Sequence, residues 1–311
     1  FRMNSCLDNW WTGLLYISNY VNPYRMCVLQ TWYLSADMQL YLLSPLLLLP
    51  LSRSASRGCL LLGGCYLATT VAAFANAYWQ GLPAGATVTM EKKTEQNHGS
   101  EYVQTHVRAA SWLTGMAMGY ILHQIRQGKL KWKISKNISA VLWVAAVAMC
   151  VTAVYSIAPF QSLQYSYSPV VDSLHIAVHR NIFSLGASGI ILLCVCGRGG
   201  IVRDFLSWKG FQPLGTLSYG VYLSHMGLQA MGLARLRQPL PFDMYNLFSG
   251  VLSDLLLANL AAVVIFLSVE APFWQIGTWL YNPNTGSRTT AVVAVEKHPE
   301  TINMEEEKSS L

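Results

Sequence analysis

The chain has 311 residues, 53% of them hydrophobic and 12% charged, with a mean hydropathy of +0.33. A soluble domain carries about 25% charged residues, so this composition argues against a water-soluble fold and for an integral membrane protein. The net charge of +6 does not mark a nucleic-acid binder, because Lys and Arg stand in short clusters between apolar runs instead of along one continuous face.

The chain opens on Phe1, with neither an initiator Met nor the charged and apolar regions of a signal peptide ahead of its first structured segment. It reads as a fragment whose N-terminal part is missing. Residues 1–31 form a first, polar segment containing Cys6 and Cys27. An oxidising compartment would permit a disulfide between them, and that bridge is expected, although spacing alone does not exclude two free thiols.

Seven apolar runs of about 20 residues follow, each the length of a membrane-crossing helix. They cover roughly residues 32–52, 59–79, 107–124, 139–158, 181–197, 216–234 and 250–269. The expected fold is an all-α, polytopic transmembrane bundle over 32–280, with Gly115, Gly119, Gly186 and Gly189 suited to close helix packing. Residues 281–311 are polar, acidic at Glu305 to Glu307 and without amphipathic period, so a disordered tail is expected there.

Lys and Arg set the orientation. The loops after the first, third and fifth helices, together with the tail, hold 13 of the 21 basic residues, densest in the stretch from Arg126 to Lys136. By the positive-inside rule these lie in the cytosol with the C-terminus. Residues 1–31, 80–106, 159–180 and 235–249 then face the lumen or the exterior of a plasma membrane or endomembrane.

Two helices carry polar stripes. In the first, Tyr33, Asp37, Tyr41 and Ser44 share one face, and Asp37 lies roughly 7 to 8 Å inside the helix at ~1.5 Å per residue. In the sixth, Ser218, Tyr222, His225 and Gln229 do the same, with His225 near mid-membrane. An ionisable residue at such depth costs ~2.5 to 3.5 kcal/mol on insertion scales, so it needs a partner or a hydrated cavity. Asp37 and His225 are therefore candidates to meet in one cavity, whereas the Ser and Tyr residues read first as interhelical hydrogen-bond partners. Arg108 and Arg180 stand at outer helix ends, where snorkelling accounts for them unless a shared cavity makes them anion ligands. His175 and His179 are placed in an outer loop with Asp172 as the one nearby acid, too little for a metal site, so none is expected. Nucleotide-binding, zinc-protease and nucleophile-elbow motifs are absent from the sequence.

The run "TWYLSADMQLYLLSPLLL" resembles the "WSLavEeQFYllxP" motif of the acyltransferase-3 family, through Trp32, Leu34, Gln39, Tyr41 and Pro45, with Asp37 where bacterial members carry Glu. "LGTLSYGVYLSH" is similar to the family's late "lgxiSYxlYLxH" motif, and "VEAPF" to its closing "vExPf". The cysteine-bearing outer segment, "TWYLSADMQ" with its Asp, and the helix beginning near His106 and Arg108 resemble the animal, nose-resistant-to-fluoxetine-like branch.

The resemblance implies a membrane enzyme that moves an acyl group, with acyl-CoA as co-substrate and no bound cofactor, onto a hydroxyl of a lipid or carbohydrate. Its partners are then membrane lipids and that acceptor, with no nucleic acid. The family's principal catalytic histidine lies on an early helix that this chain does not match, which leaves Asp37 and His225 as supporting groups. Tyr33, Gln39, Tyr41, Arg108, Arg180, Ser218 and Tyr222 are the expected lining of the substrate cavity. A lipid or xenobiotic transporter, or a non-catalytic membrane factor on the same fold, is the competing reading, since fold does not fix activity.

Overall fold

The computed structural model describes residues 3–85, 102–130, 135–162, 164–238, 241 and 243–281. Regular structure among them is helical: α1 (Met3–Leu14), α2 (Thr31–Arg53), α3 (Ala55–Gln80), α4 (Thr105–Arg126), α5 (Lys136–Tyr155), α6 (Pro169–Leu193), α7 (Gly200–Leu206), α8 (Phe211–Arg235), α9 (Met244–Ile265) and α10 (Ala271–Tyr281). The seven expected runs correspond to α2 to α6, α8 and α9. Five of these, α2, α3, α5, α6 and the stretch through α9 into α10, are long and apolar enough to cross a bilayer. The remaining two, α4 and α8, are as long but more polar, because α4 carries His106, Arg108 and His123 and α8 carries Ser218, His225 and Gln229.

Small residues decide where helices touch. At Gly186 on α6, a Cβ would lie 2.7 Å from Cys150 Sγ and 2.8 Å from the Ala146 carbonyl oxygen, so α5 and α6 approach there as only glycine allows. Gly220 on α8 meets Ala262 on α9 in the same way, at 3.0 Å. Alanines dominate the junction of α3, α4 and α6, where Ala73, Val107 and Ala177 form one buried cluster and Ala77, Leu82 and Ile176 another. Gly115 and Gly119 on α4 behave otherwise than expected: a Cβ at either would meet nothing within 4 Å, so they face open space and not a neighbouring helix.

Helix α6 begins at Pro169, twelve residues before the apolar run at 181, and this places His175 and His179 inside a helix and not in a loop. Two histidines and an aspartate depress the local hydropathy and hide the helix from a composition scan. Pro169 stands in its first turn, where a missing N–H costs nothing. Three residues further on, the fully buried Asp172 carboxylate accepts hydrogen bonds from the Ala84 N–H at 2.7 Å, the Tyr165 hydroxyl at 2.6 Å and the Ser168 N–H at 3.1 Å. One carboxylate thus fastens the turn after α3, the loop before α6 and the N-terminus of α6 together, with the helix dipole favouring its charge. The bond to Asp172 pushes the Tyr165 phenol up to about 12.

Residues 3–31 fold into a cap. The Cys6–Cys27 disulfide joins α1 to the stretch before α2. Asn9 Nδ2 donates to the Arg25 carbonyl at 3.1 Å, and Asn22 Nδ2 to Asn9 Oδ1 at 2.9 Å. The tail expected to be disordered lies, from Asn282 on, outside the described residues.

Replacing Asp172 by Ala leaves buried donors without an acceptor, so detergent-solubilised protein should lose about 2 to 3 kcal/mol of stability. Unchanged thermal unfolding would remove Asp172 from this role. The Tyr165 contribution, raised in the folded state, is fully present below pH 10 and is lost as the pH rises towards 12. The stability difference between wild type and Tyr165→Phe should therefore shrink over that interval.

Candidate functional site

At the end of the bundle beneath the cap, α2 and α4 are pinned to each other. Thr105 Oγ1 donates to Gln39 Oε1 at 2.6 Å, and Gln39 Nε2 donates to the Tyr16 carbonyl at 2.7 Å and to Asn19 Oδ1 at 3.0 Å. Asn19 Nδ2 in turn donates to Thr105 Oγ1 at 2.7 Å. Ser18 and Ser35 share a further bond of 2.9 Å. Gln39, expected to line the substrate cavity, spends its amide on this knot and acts as an anchor for the cap.

Beside the knot, α2, α4, α5 and α6 line an open cavity of about 800 Å³. Tyr33 and Asp37 reach it from α2, Arg108 and Trp112 from α4, and His179 and Arg180 from α6. The cavity therefore brings together two guanidinium groups, a carboxyl group and an imidazole between otherwise apolar helices. Arg108 is held by its Nε, which donates to the Tyr102 carbonyl at 2.7 Å, and its guanidinium lies over the Tyr102 ring at 4.2 Å and the Trp32 ring at 5.3 Å. Aromatic faces favour the cation there and fix the direction in which it points. His179 Nδ1 lies 2.7 Å from the His175 carbonyl oxygen. A carbonyl only accepts, so Nδ1 carries the proton and Nε2 is the basic nitrogen of the neutral ring. The His175 and His179 rings stack at 4.7 Å and within 4° of parallel, and His175 Nε2 lies 3.0 Å from Ser156 Oγ.

Two more cavities adjoin it at Trp112. One of about 440 Å³ is lined by Asp37, Tyr41 and Ser44 of α2, by Tyr219 of α8 and by Trp112. Another, of about 940 Å³, runs from Trp112 past Gly115 and Gly119 to Gln127 and Lys129. Trp112 lines all three, and Asp37 lines the first two.

The second polar stripe is placed differently. His225 Nδ1 lies 2.7 Å from the Tyr222 carbonyl of its own helix, and His225 lines none of these three cavities. Tyr222 donates its hydroxyl to the Gln30 carbonyl at 3.1 Å, and its ring packs on Tyr33 at 5.4 Å. Ser218 Oγ turns back to the Gly215 carbonyl at 2.7 Å. These three join α8 to the head of α2 or to itself, and Asp37 keeps company with Arg108, His179 and Arg180 in place of His225. His179 is the member that sequence reading missed. Its signal was present as the stripe Ile176, His179/Arg180, Phe183/Ser184, Ala187/Ser188 and Ile191, an i, i+3/i+4 face that puts His179 beside Arg180.

A helical bundle with a charged interior cavity beneath a disulfide-tied cap defines a polytopic membrane protein with a built polar site. Residues 5–269 match the family described as "Acyltransferase domain", and the chain belongs to that acyltransferase-3 family. It is similar to "Nose resistant to fluoxetine protein 6" of Caenorhabditis elegans, with 24% identity over 309 residues, covering 94% of this chain and 37% of that protein. The chain thus spans little more than a third of the length of the curated relative it matches. No solved structure matches it.

Because Gln39 is the centre of the knot, Gln39→Leu should lower folded yield and the apparent melting temperature, whereas Asp37→Asn should leave both near wild type. Fluorescence-detected size exclusion after heating separates the two. Equal behaviour of both variants would contradict the division between anchor and cavity residue.

Proposed function

We propose that the protein transfers an acyl group from acyl-CoA to a hydroxyl of a lipid or carbohydrate, with the chemistry in the cavity between α2, α4 and α6. Family membership supports the class of reaction. The observation that carries the site is the gathering of Asp37, Arg108, His179 and Arg180 around one cavity. His179 Nε2 takes the proton of the acceptor hydroxyl as its oxygen attacks the thioester carbonyl carbon. Arg108 and Arg180 stabilise the oxyanion of the tetrahedral intermediate, where fixed donors in a water-poor site act most strongly. The C–S bond then breaks, and the departing thiolate recovers the proton from His179. Asp37 balances the charge of the imidazolium formed between these steps. His225 supports the site only at one remove, packing on the Tyr222 ring that in turn holds α8 against the head of α2.

Passage of a lipid or xenobiotic through the same bundle is the second reading, favoured by the succession of cavities that share Trp112.

Full-length protein supplied with radiolabelled acetyl-CoA and a membrane lipid extract should incorporate label. Asp37→Asn and His179→Gln, at equal folded yield, should each reduce the rate by about 10²- to 10⁴-fold, and His225→Ala by less. Undiminished transfer in His179→Gln would overturn the assignment of the base. Wild type that fails with every acyl donor, yet moves a labelled lipid between leaflets, would establish the transport reading instead.

A further inference from the structure

The largest of the three cavities lies away from the charged site, and its walls differ in kind. Leu48 and Leu51 of α2 face Gly115, Met116 and Gly119 of α4, while His123, Gln127 and Lys129 stand at the far end. The knot at Gln39 holds α2 and α4 together under the cap, and nothing comparable joins them here. The two glycines leave the groove open, since a Cβ at either would find no atom within 4 Å. From Trp112 to Tyr120 the apolar floor runs roughly 12 Å at ~1.5 Å per residue, room for much of a hydrocarbon chain. Lys129 makes the polar end basic, and Arg126 and Lys136 flank it in the sequence, on the cytosolic side expected from the charge asymmetry. A cation beside a membrane helix attracts the anionic lipids of that leaflet at ~1 kcal/mol per residue.

We propose that this groove is a binding site for an anionic phospholipid of the cytosolic leaflet, with one acyl tail along Gly115 and Gly119 and the head group at Lys129. An apolar wall alone would accept any tail; the Lys129 ammonium at one end selects an anionic head. The tail ends against Trp112, whose indole also bounds the two cavities that contain Asp37. Occupancy of the groove therefore sets the position of Trp112 and with it the shape of the charged cavity. The inference does not depend on acyl transfer and holds equally for the transport reading.

The test uses full-length protein in nanodiscs containing a photoactivatable phosphatidylserine or the matching phosphatidylcholine, with cross-linked peptides read by mass spectrometry. Labelling of residues 105–126 should be strong with phosphatidylserine. It should fall about tenfold in Gly119→Leu, where the new side chain occupies the tail's place, a loss equivalent to ~1.4 kcal/mol. Lys129→Gln should lower it about fivefold, the weight of one cation at an anionic surface. Leucine is a better helix former than glycine, so Gly119→Leu should not unfold α4. Gly64→Leu on α3, another glycine facing open space, should leave labelling unchanged. Equal labelling by both lipids, or insensitivity to Gly119→Leu, would overturn the proposal. So would absence of label from 105–126 in the wild type, which would show that another part of the full-length protein covers the groove.

Discussion

A polar side chain between apolar helices needs a partner or an aqueous space, and the bond of Gln39 to Thr105 and Asn19 decides how the rest of the bundle is arranged. It ties α2, α4 and the disulfide-held cap at one end. An amide engaged on both its oxygen and its nitrogen makes several bonds where a single interhelical hydrogen bond is typically worth ~0.6 kcal/mol. Farther along the two helices a groove opens between Leu48 and Leu51 of α2 and Gly115 and Gly119 of α4, while the charged cavity lies beside the knot itself.

Charge placement follows from that geometry. Asp37 stands two residues before Gln39, on the nearly opposite face of α2, and so looks away from the knot into the cavity. Arg108 follows Thr105 by three residues and is steered by Trp32 and Tyr102. His179 and Arg180 arrive from α6, whose start is fixed by the buried Asp172. Two carboxyl groups thus serve opposite purposes. Asp172 is enclosed and fully engaged as a fastener, whereas Asp37 is exposed within a cleft, where a group can meet a ligand.

Much of this was legible in the sequence where a single helix carries the signal. The stripe Tyr33, Asp37, Tyr41 announced an inward face because 3.6 residues per turn aligns those side chains without reference to any neighbour. Cys6 and Cys27 were recognisable as a possible pair for the same reason, since both fall in one polar segment. What needed a partner helix was not legible. Gly186 packs against Cys150 and Gly119 faces open space, yet both are glycines inside an apolar run and nothing local separates them. His179 was hidden because the polar residues that make it useful also lowered the hydropathy that marks a helix. The expected meeting of Asp37 with His225 failed on rotation: Tyr222 packs on Tyr33, and His225 turns to its own backbone.

The central claim is that Asp37 and the His179–Arg180 pair look into the same cavity from α2 and α6. It is tested most directly by a double substitution, Asp37→Cys with Ser184→Cys, in a protein whose free cysteines have been removed and whose Cys6–Cys27 bridge is kept. A short, water-soluble bifunctional thiol reagent should link the two positions in native membranes, giving a proteolytic fragment in which α2 and α6 travel together. Each cysteine reacting only with lipid-phase reagents, and no linkage forming, would mean that the two helices face away from each other and that no common site exists.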